Sequence, residues 1–170
     1  AEKANDKRMI SIFYRYVGST YTYRASYDTA YMYQHKHISI AEELQDKYLL
    51  QLSYFGLANL YARQGKFLLA VENYLKSMTY YPGDTYKAIT YDDLLADLEN
   101  THEHFDPLRT YVLSLGNAGE CYRRLNNPEK ALFYLTTAKD ILQTIGSRLD
   151  VSPKSQVYRE LGYVYFAQGD

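Results

Sequence analysis

Residues 51–82 read QLSYFGLANLYARQGKFLLAVENYLKSMTYYP, and the spacing of apolar residues within them decides the architecture. Tyr54, Leu57, Ala58 and Tyr61 stand at i, i+3, i+4 and i+7, on one face of a helix. Gly65 interrupts that helix, and Phe67, Ala70, Val71 and Tyr74 repeat the helical period on a second one. Ala58 and Ala70 are small enough for two backbones to approach, while the aromatic residues fill the space beside them. The product is a helical hairpin with one apolar side. It cannot bury that side alone and needs neighbours.

The same spacing recurs on both sides. Upstream, Tyr14-x2-Val17-Gly18-x2-Tyr21 leads to Ala30; downstream, Leu115-x2-Ala118-Gly119-x2-Tyr122 leads to Ala131, Leu135 and Ala138. A last copy, Tyr158-x2-Leu161-Gly162-x2-Tyr165, stops at Gly169-Asp170. Repeats therefore fall near 11–46, 51–84, 112–146 and 155–170, the last one truncated. The order aromatic, Leu, small, Tyr, then Ala, aromatic, small and Pro resembles the tetratricopeptide repeat (TPR). That resemblance implies an all-α fold, a right-handed α-α superhelix of about three and a half hairpins, as a single array over 1–170. Two residues depart from the pattern: Gln34 and His37 stand where the first repeat calls for an aromatic and a small side chain.

The first helix is predicted over about 4–24, with Ile10, Phe13, Tyr14, Val17 and Tyr21 inward, and the second over about 27–44. Tyr21 and Tyr61 are 40 residues apart, against about 34 for an ordinary repeat. The extra length lies in HISIAEELQDKYLLQL, a strongly helical stretch that predicts extended helices and is similar to segments of bacterial regulatory TPR arrays. A fourth helix is expected over about 66–80. Between Tyr61 and Tyr122 an insert, 85–106, carries Tyr91, Leu94, Leu95 and Leu98 at helical spacing behind Asp92 and Asp93, predicting a short amphipathic helix. Asp106-Pro107 is read as the N-cap and first turn of the next helix. Asn126-Asn127-Pro128 makes the following turn, and Ser152-Pro153 opens the last helix after one ending near 145.

Hydrophobic residues make up 46% of the chain, enough for a continuous core, and only 4 Pro and 9 Gly argue against long low-complexity regions. A net charge of −1 gives no footprint for nucleic acid or membrane binding. The single cysteine, Cys121, excludes an internal disulfide framework and is expected to be a buried structural thiol. No apolar run approaches the ~18 residues that span a bilayer, so membrane insertion is not expected. The chain begins without Met and ends where a second helix of repeat four should begin; both ends look like cuts in a longer protein. Its compartment, cytoplasmic or periplasmic, is unknown from these termini. Leu161 and Tyr165 are expected to be exposed at that end and to favour self-association.

TPR resemblance implies that the first helices of successive hairpins line a groove for a protein or peptide partner. Its carried-over positions are Arg15, Ser19, Thr22 and Tyr23; Phe55, Asn59, Ala62 and Arg63; Glu120, Arg123 and Arg124; and Arg159, Tyr163 and Phe166. Five arginines against one glutamate suit an acidic or extended peptide, although a solvated face with incidental arginine is the plainer alternative. Glu120 and Gly116 stand where the carboxylate clamp of chaperone-binding TPR domains needs basic residues, which disfavours such a partner. Residues 84–106 carry seven acids and one base, so this segment could compete for a basic groove in cis or simply pack its leucines beside it. His35-x-His37 and His102-x-His104 are spaced i, i+2, which turns the pair about 200° apart on a helix and argues against a shared metal. There is no phosphate loop, nucleophile elbow or HExxH. The reading is a non-catalytic module with no cofactor or metal, in a regulatory or sensory region of a bacterial signalling protein. The alternatives are an assembly scaffold and an appendage of an enzyme.

Overall fold

A computed structural model describes residues 2–81, 105–145 and 151–169. Helices α1 (Glu2–Tyr23), α2 (Tyr27–Leu44), α3 (Lys47–Arg63), α4 (Phe67–Thr79), α5 (Phe105–Arg124), α6 (Pro128–Ile145) and α7 (Val151–Gln168) follow one another, and no strand occurs among the described residues. They pack as adjacent pairs, α1 with α2, α3 with α4 and α5 with α6, with α7 against α5 and α6. The chain divides into two compact units, Ala1–Tyr80 and Tyr81–Asp170. The amphipathic segment expected within 85–106, and with it the competitor role, lies outside the described residues up to 104, as does the pair His102 and His104.

One local device makes the hairpins. In the first unit, Ala25 (φ 58) and Gly65 (φ 73) take the left-handed conformation just after α1 and α3. Ser26 N–H then reaches back to Tyr21 O (3.0 Å) and Lys66 N–H to Tyr61 O (2.9 Å). In the second unit, Asn126 (φ 56) does the same after α5, with Asn127 N–H on Tyr122 O at 2.9 Å. This six-to-one bond closes a Schellman turn and satisfies helix-end carbonyls that would otherwise be orphaned. The recurring tyrosine thus marks the third-last residue before each turn. Asn127 also caps α6 by accepting from Lys130 N–H (3.1 Å), and Pro128 tolerates the first helical position.

Helices α1 and α2 run 22 and 18 residues, and α2 ends at Leu44 as expected, so that HISIAEELQDKYLLQL is divided between α2 and α3. Gln45 adopts the same left-handed turn (φ 50), with Asp46 N–H on Ala41 O, and ends α2 at Leu44. The Asp46 carboxylate then caps α3 by accepting from Leu49 N–H (3.1 Å). An aspartate three residues ahead of a buried leucine was the start signal in this stretch.

In the first unit, Ala30, Ala58 and Ala70 are completely buried at the helix contacts, and Tyr54, Leu57, Val71 and Tyr74 fill in around them. Gln34 and His37 are also fully buried. They occupy in α2 the places that Tyr74 and Ser77 hold in α4, 40 residues on. Here sizes have been exchanged across the hairpin: small Ser77 donates to the carbonyl of Gln51 (2.8 Å), whereas in the first hairpin small Ser11 faces large His37 (Oγ to Nδ1 2.6 Å). Gln34 fits because it lies against two glycines. A Cβ on Gly18 would sit 3.1 Å from its Nε2, and one on Gly56 only 2.6 Å from its Oε1.

The inward face of α1 differs from the expected one. Ser11, Gly18 and Thr22 are buried, Tyr14, Val17 and Tyr21 half-buried, and Ile10 and Phe13 exposed. The cause is the small-residue row 11-18-22, which lets α1 approach α2 closely and rotates the bulkier residues outward.

In the second unit, Leu108, Val112, Leu115 and Ala118 of α5 meet Ala131, Leu135, Ala138 and Leu142 of α6, all buried. Gly119 is required there, since a Cβ would fall 2.6 Å from Leu135 Cγ. α5 starts at Phe105, which puts Asp106 inside the first turn rather than at the cap, and α7 starts at Val151. On α7 the buried stripe is Val157, Glu160, Leu161 and Val164. Leu161, expected at the surface, is therefore core, whereas Tyr165 and Phe166 are exposed.

Candidate functional site

In the first unit the groove positions come from α1 and α3. Tyr23 is exposed, and the guanidinium of Arg63 lies 4.6 Å from its ring centre. Asn59 accepts a hydrogen bond from the hydroxyl of Tyr74 (2.6 Å), and Phe55 packs on the same ring at 5.9 Å. Since Tyr74 is buried, it fixes both side chains from below. Ala62 and Ser19 are half-buried. Arg15 turns sideways onto Tyr16 (4.3 Å), with its Nε buried. Thr22 is unsuited to a groove: it is buried and its hydroxyl donates to Gly18 O (2.9 Å).

In the second unit the arginines are spoken for. Arg123 Nε lies 2.9 Å from Glu160 Oε2 and Arg159 Nε 3.3 Å from Oε1, while Arg124 pairs with Glu120 at 3.5 Å. Tyr163 stacks under Arg123 (5.1 Å), and Phe166 projects into solvent. Glu160, only 2% exposed, was missing from the sequence reading. The stripe 157-160-161-164 held the signal: an acid at the i+3 place of an apolar helix face demands a buried cation partner. At the same seam Gln156 donates to Asn117. Arginine excess at these positions is thus offset by an acid that the groove pattern left out.

Two buried titratable groups are shifted. Burial pushes the Cys121 thiol up to about 12, helped by Glu120 and opposed by Arg124, so it stays protonated and unreactive. Burial lowers His37 to about 4, with Arg15 acting in the same direction and Ser11 opposing. His35, two residues away, is exposed, so the two rings point apart.

Repeated helix–Schellman turn–helix units, with small residues at the contacts and a tyrosine before each turn, define a helical-hairpin repeat protein. The family model described as tetratricopeptide repeat matches residues 52–84. Together with the paired helices, this match supports assignment of the chain to the TPR family. No curated protein matches the chain. The general role of the repeat is protein–protein interaction, and its all-helical fold is typically non-catalytic. No helix among the described residues is long and apolar enough to cross a membrane.

Proposed function

We propose that the chain recognises a protein partner, without chemistry of its own, by taking an acidic or extended segment on the α1–α3 face of its first unit. Tyr23, Phe55, Asn59 and Arg63 form the centre of that face, with Arg15 and Ser19 flanking it along α1. The observation that carries the reading is the state of Arg63. It rests on an exposed aromatic ring and has no acid partner among the described residues, so a carboxylate gains a guanidinium that folding has not already neutralised. Glu120, Arg123, Arg124, Arg159 and Tyr163 play a secondary part, because internal ion pairs compete with any ligand there. The regulatory or sensory setting is supported by the 40-residue repeat spacing and by the resemblance it carries.

The test is fluorescence anisotropy with labelled peptides of about a dozen residues, acidic and charge-reversed, titrated with the whole chain. Preferential binding of the acidic set, weakened about tenfold by Arg63→Ala and by added salt, is expected. Equal binding of both sets, or an unchanged affinity in Arg63→Ala, sinks the proposal. An assembly role is the second reading, favoured by Tyr158, Tyr163, Tyr165 and Phe166 exposed on α7. A second copy bound there gives a concentration-dependent mass in sedimentation that Phe166→Ser abolishes.

A further inference from the structure

Helix α1 carries a second stripe that its own hairpin does not bury. Met9, Phe13, Tyr16 and Thr20 are spaced four, three and four residues apart. That alternation is the narrow seam of a two-helix coiled coil rather than the wider stripe of a helix laid on a core. All four are exposed, Met9 at 62% and Phe13 and Tyr16 at 60% each, with Ile10 beside them at 45%. The buried residues Ser11, Gly18 and Thr22 each stand two positions from a seam residue, about 200° around the helix, so the seam looks away from that buried row.

The next repeat shows what the same face receives. Forty residues on, the equivalents of Met9, Ile10, Phe13 and Tyr16 are Leu49, Leu50, Ser53 and Gly56 of α3, and all four are buried. The first hairpin seats closely there because Gly56 leaves room: a Cβ on it would fall 2.6 Å from Gln34 Oε1. Phe13 and Tyr16, in the places of Ser53 and Gly56, block so close an approach, so α1 does not suit another hairpin of this kind. A single helix at an axial distance of about 8–10 Å meets such a seam through its side chains instead. We propose that this helix is α1 of a second copy of the chain, the two pairing antiparallel about a two-fold axis. In that register Phe13 packs on the partner's Tyr16, twice over, and Met9 on the partner's Thr20, so ring meets ring and a long side chain meets a short one. Antiparallel pairing also sets the helix dipoles head to tail. The seam is uncharged, and Lys7 and Arg8 beside it are already paired, with Glu43 and with Asp46 (2.8 Å). At about 200 Å² of surface per ring, and less for the aliphatic side chains, the exposed stripe offers roughly 450 Å² per copy. A pair then buries roughly 900 Å², the size of a weak, concentration-dependent contact.

The experiment is sedimentation equilibrium of the whole chain from roughly 1 μM to 1 mM, the span that brackets a weak dimer. The expected mass rises from one chain to two. Phe13→Glu, which puts like charges into the seam, should raise the dimer dissociation constant at least about tenfold, while Arg63→Ala and Phe166→Ser leave it unchanged. Two further variants, Met9→Cys and Thr20→Cys, keep the test independent of how Phe13→Glu folds. Under mild oxidation the mixture of the two should form a disulfide-linked dimer, and neither should do so alone. A mass of one chain throughout overturns the inference. So does a dimer that survives Phe13→Glu but is lost in Phe166→Ser, which would place the contact on α7. Cross-linking of Met9→Cys with itself overturns the antiparallel arrangement.

Discussion

The two units reach similar hairpins by different core chemistry. In the first, the α1–α2 seam is polar and neutral, with Ser11, Gln34 and His37 buried where its neighbour hairpin uses Gln51, Tyr74 and Ser77. In the second, the α5–α6 seam is mostly alanine, leucine and valine, the buried Ser114 hydroxyl bonds within its own helix to Thr110 O, and the buried charge is Glu160, held by Arg123 and Arg159. The contrast shows that the repeat pattern constrains size and closeness of approach more tightly than it constrains polarity. It also separates the arginines by availability: the second unit spends its own on an internal carboxylate, while Arg63 rests on Tyr23.

Acid should divide the units most. His37 is held near 4 in the folded chain against an ordinary 6.5. Above about pH 6.5 the folded first unit keeps its full stability. Between 6.5 and 4 the unfolded chain takes up a proton that the folded one refuses, so stability falls with falling pH and levels off below 4. The loss is about 3 kcal/mol. Protection factors of α2 amides, corrected for the intrinsic slowing of exchange in acid, should fall over that window more than those of α6, and His37→Leu should flatten the difference. Equal pH response of α2 and α6 would break the contrast.

Glu160→Ala comes next, at about 2 kcal/mol. The freed Arg123 and Arg159 can still reach water, which keeps the cost below that of a fully enclosed pair. The change should appear as faster exchange in α7 and leave α1–α4 untouched. Gly119→Ala tests the closeness of approach and should cost roughly 1 to 2 kcal/mol in a urea titration, because its new Cβ meets Leu135. Smallest is Ala25→Gly. Relief of a left-handed alanine should stabilise the first hairpin by about 0.5 to 1 kcal/mol, seen as a higher Tm. No gain would mean that the turn relaxes without strain.

Much of the architecture was legible because it rests on local rules. The period of Tyr54, Leu57, Ala58 and Tyr61 announced α3, Gly65 its end, and Asn126-Asn127-Pro128 the α5–α6 turn. The end of α2 near Leu44 was legible too, though not the left-handed Gln45 that makes it. The failures share a cause. Ile10 and Phe13 looked like core by hydrophobicity, yet close packing through Ser11, Gly18 and Thr22 turned them outward. For the groove, spacing put Arg63 and Arg124 in the same place, two residues after the tyrosine, although one lies on Tyr23 and the other pairs with Glu120.

What the sequence determined by itself is the recurring hairpin: helical period, small residues at the contacts and turn-forming positions after each tyrosine all act within a few residues of one another. What only the tertiary structure decided is which polar side chains are enclosed and with whom they pair. Gln34 between two glycines, His37 on Ser11, and Glu160 on Arg123 are contacts made across helices. Their energies depend on burial and distance, quantities that no single helix carries in its own sequence.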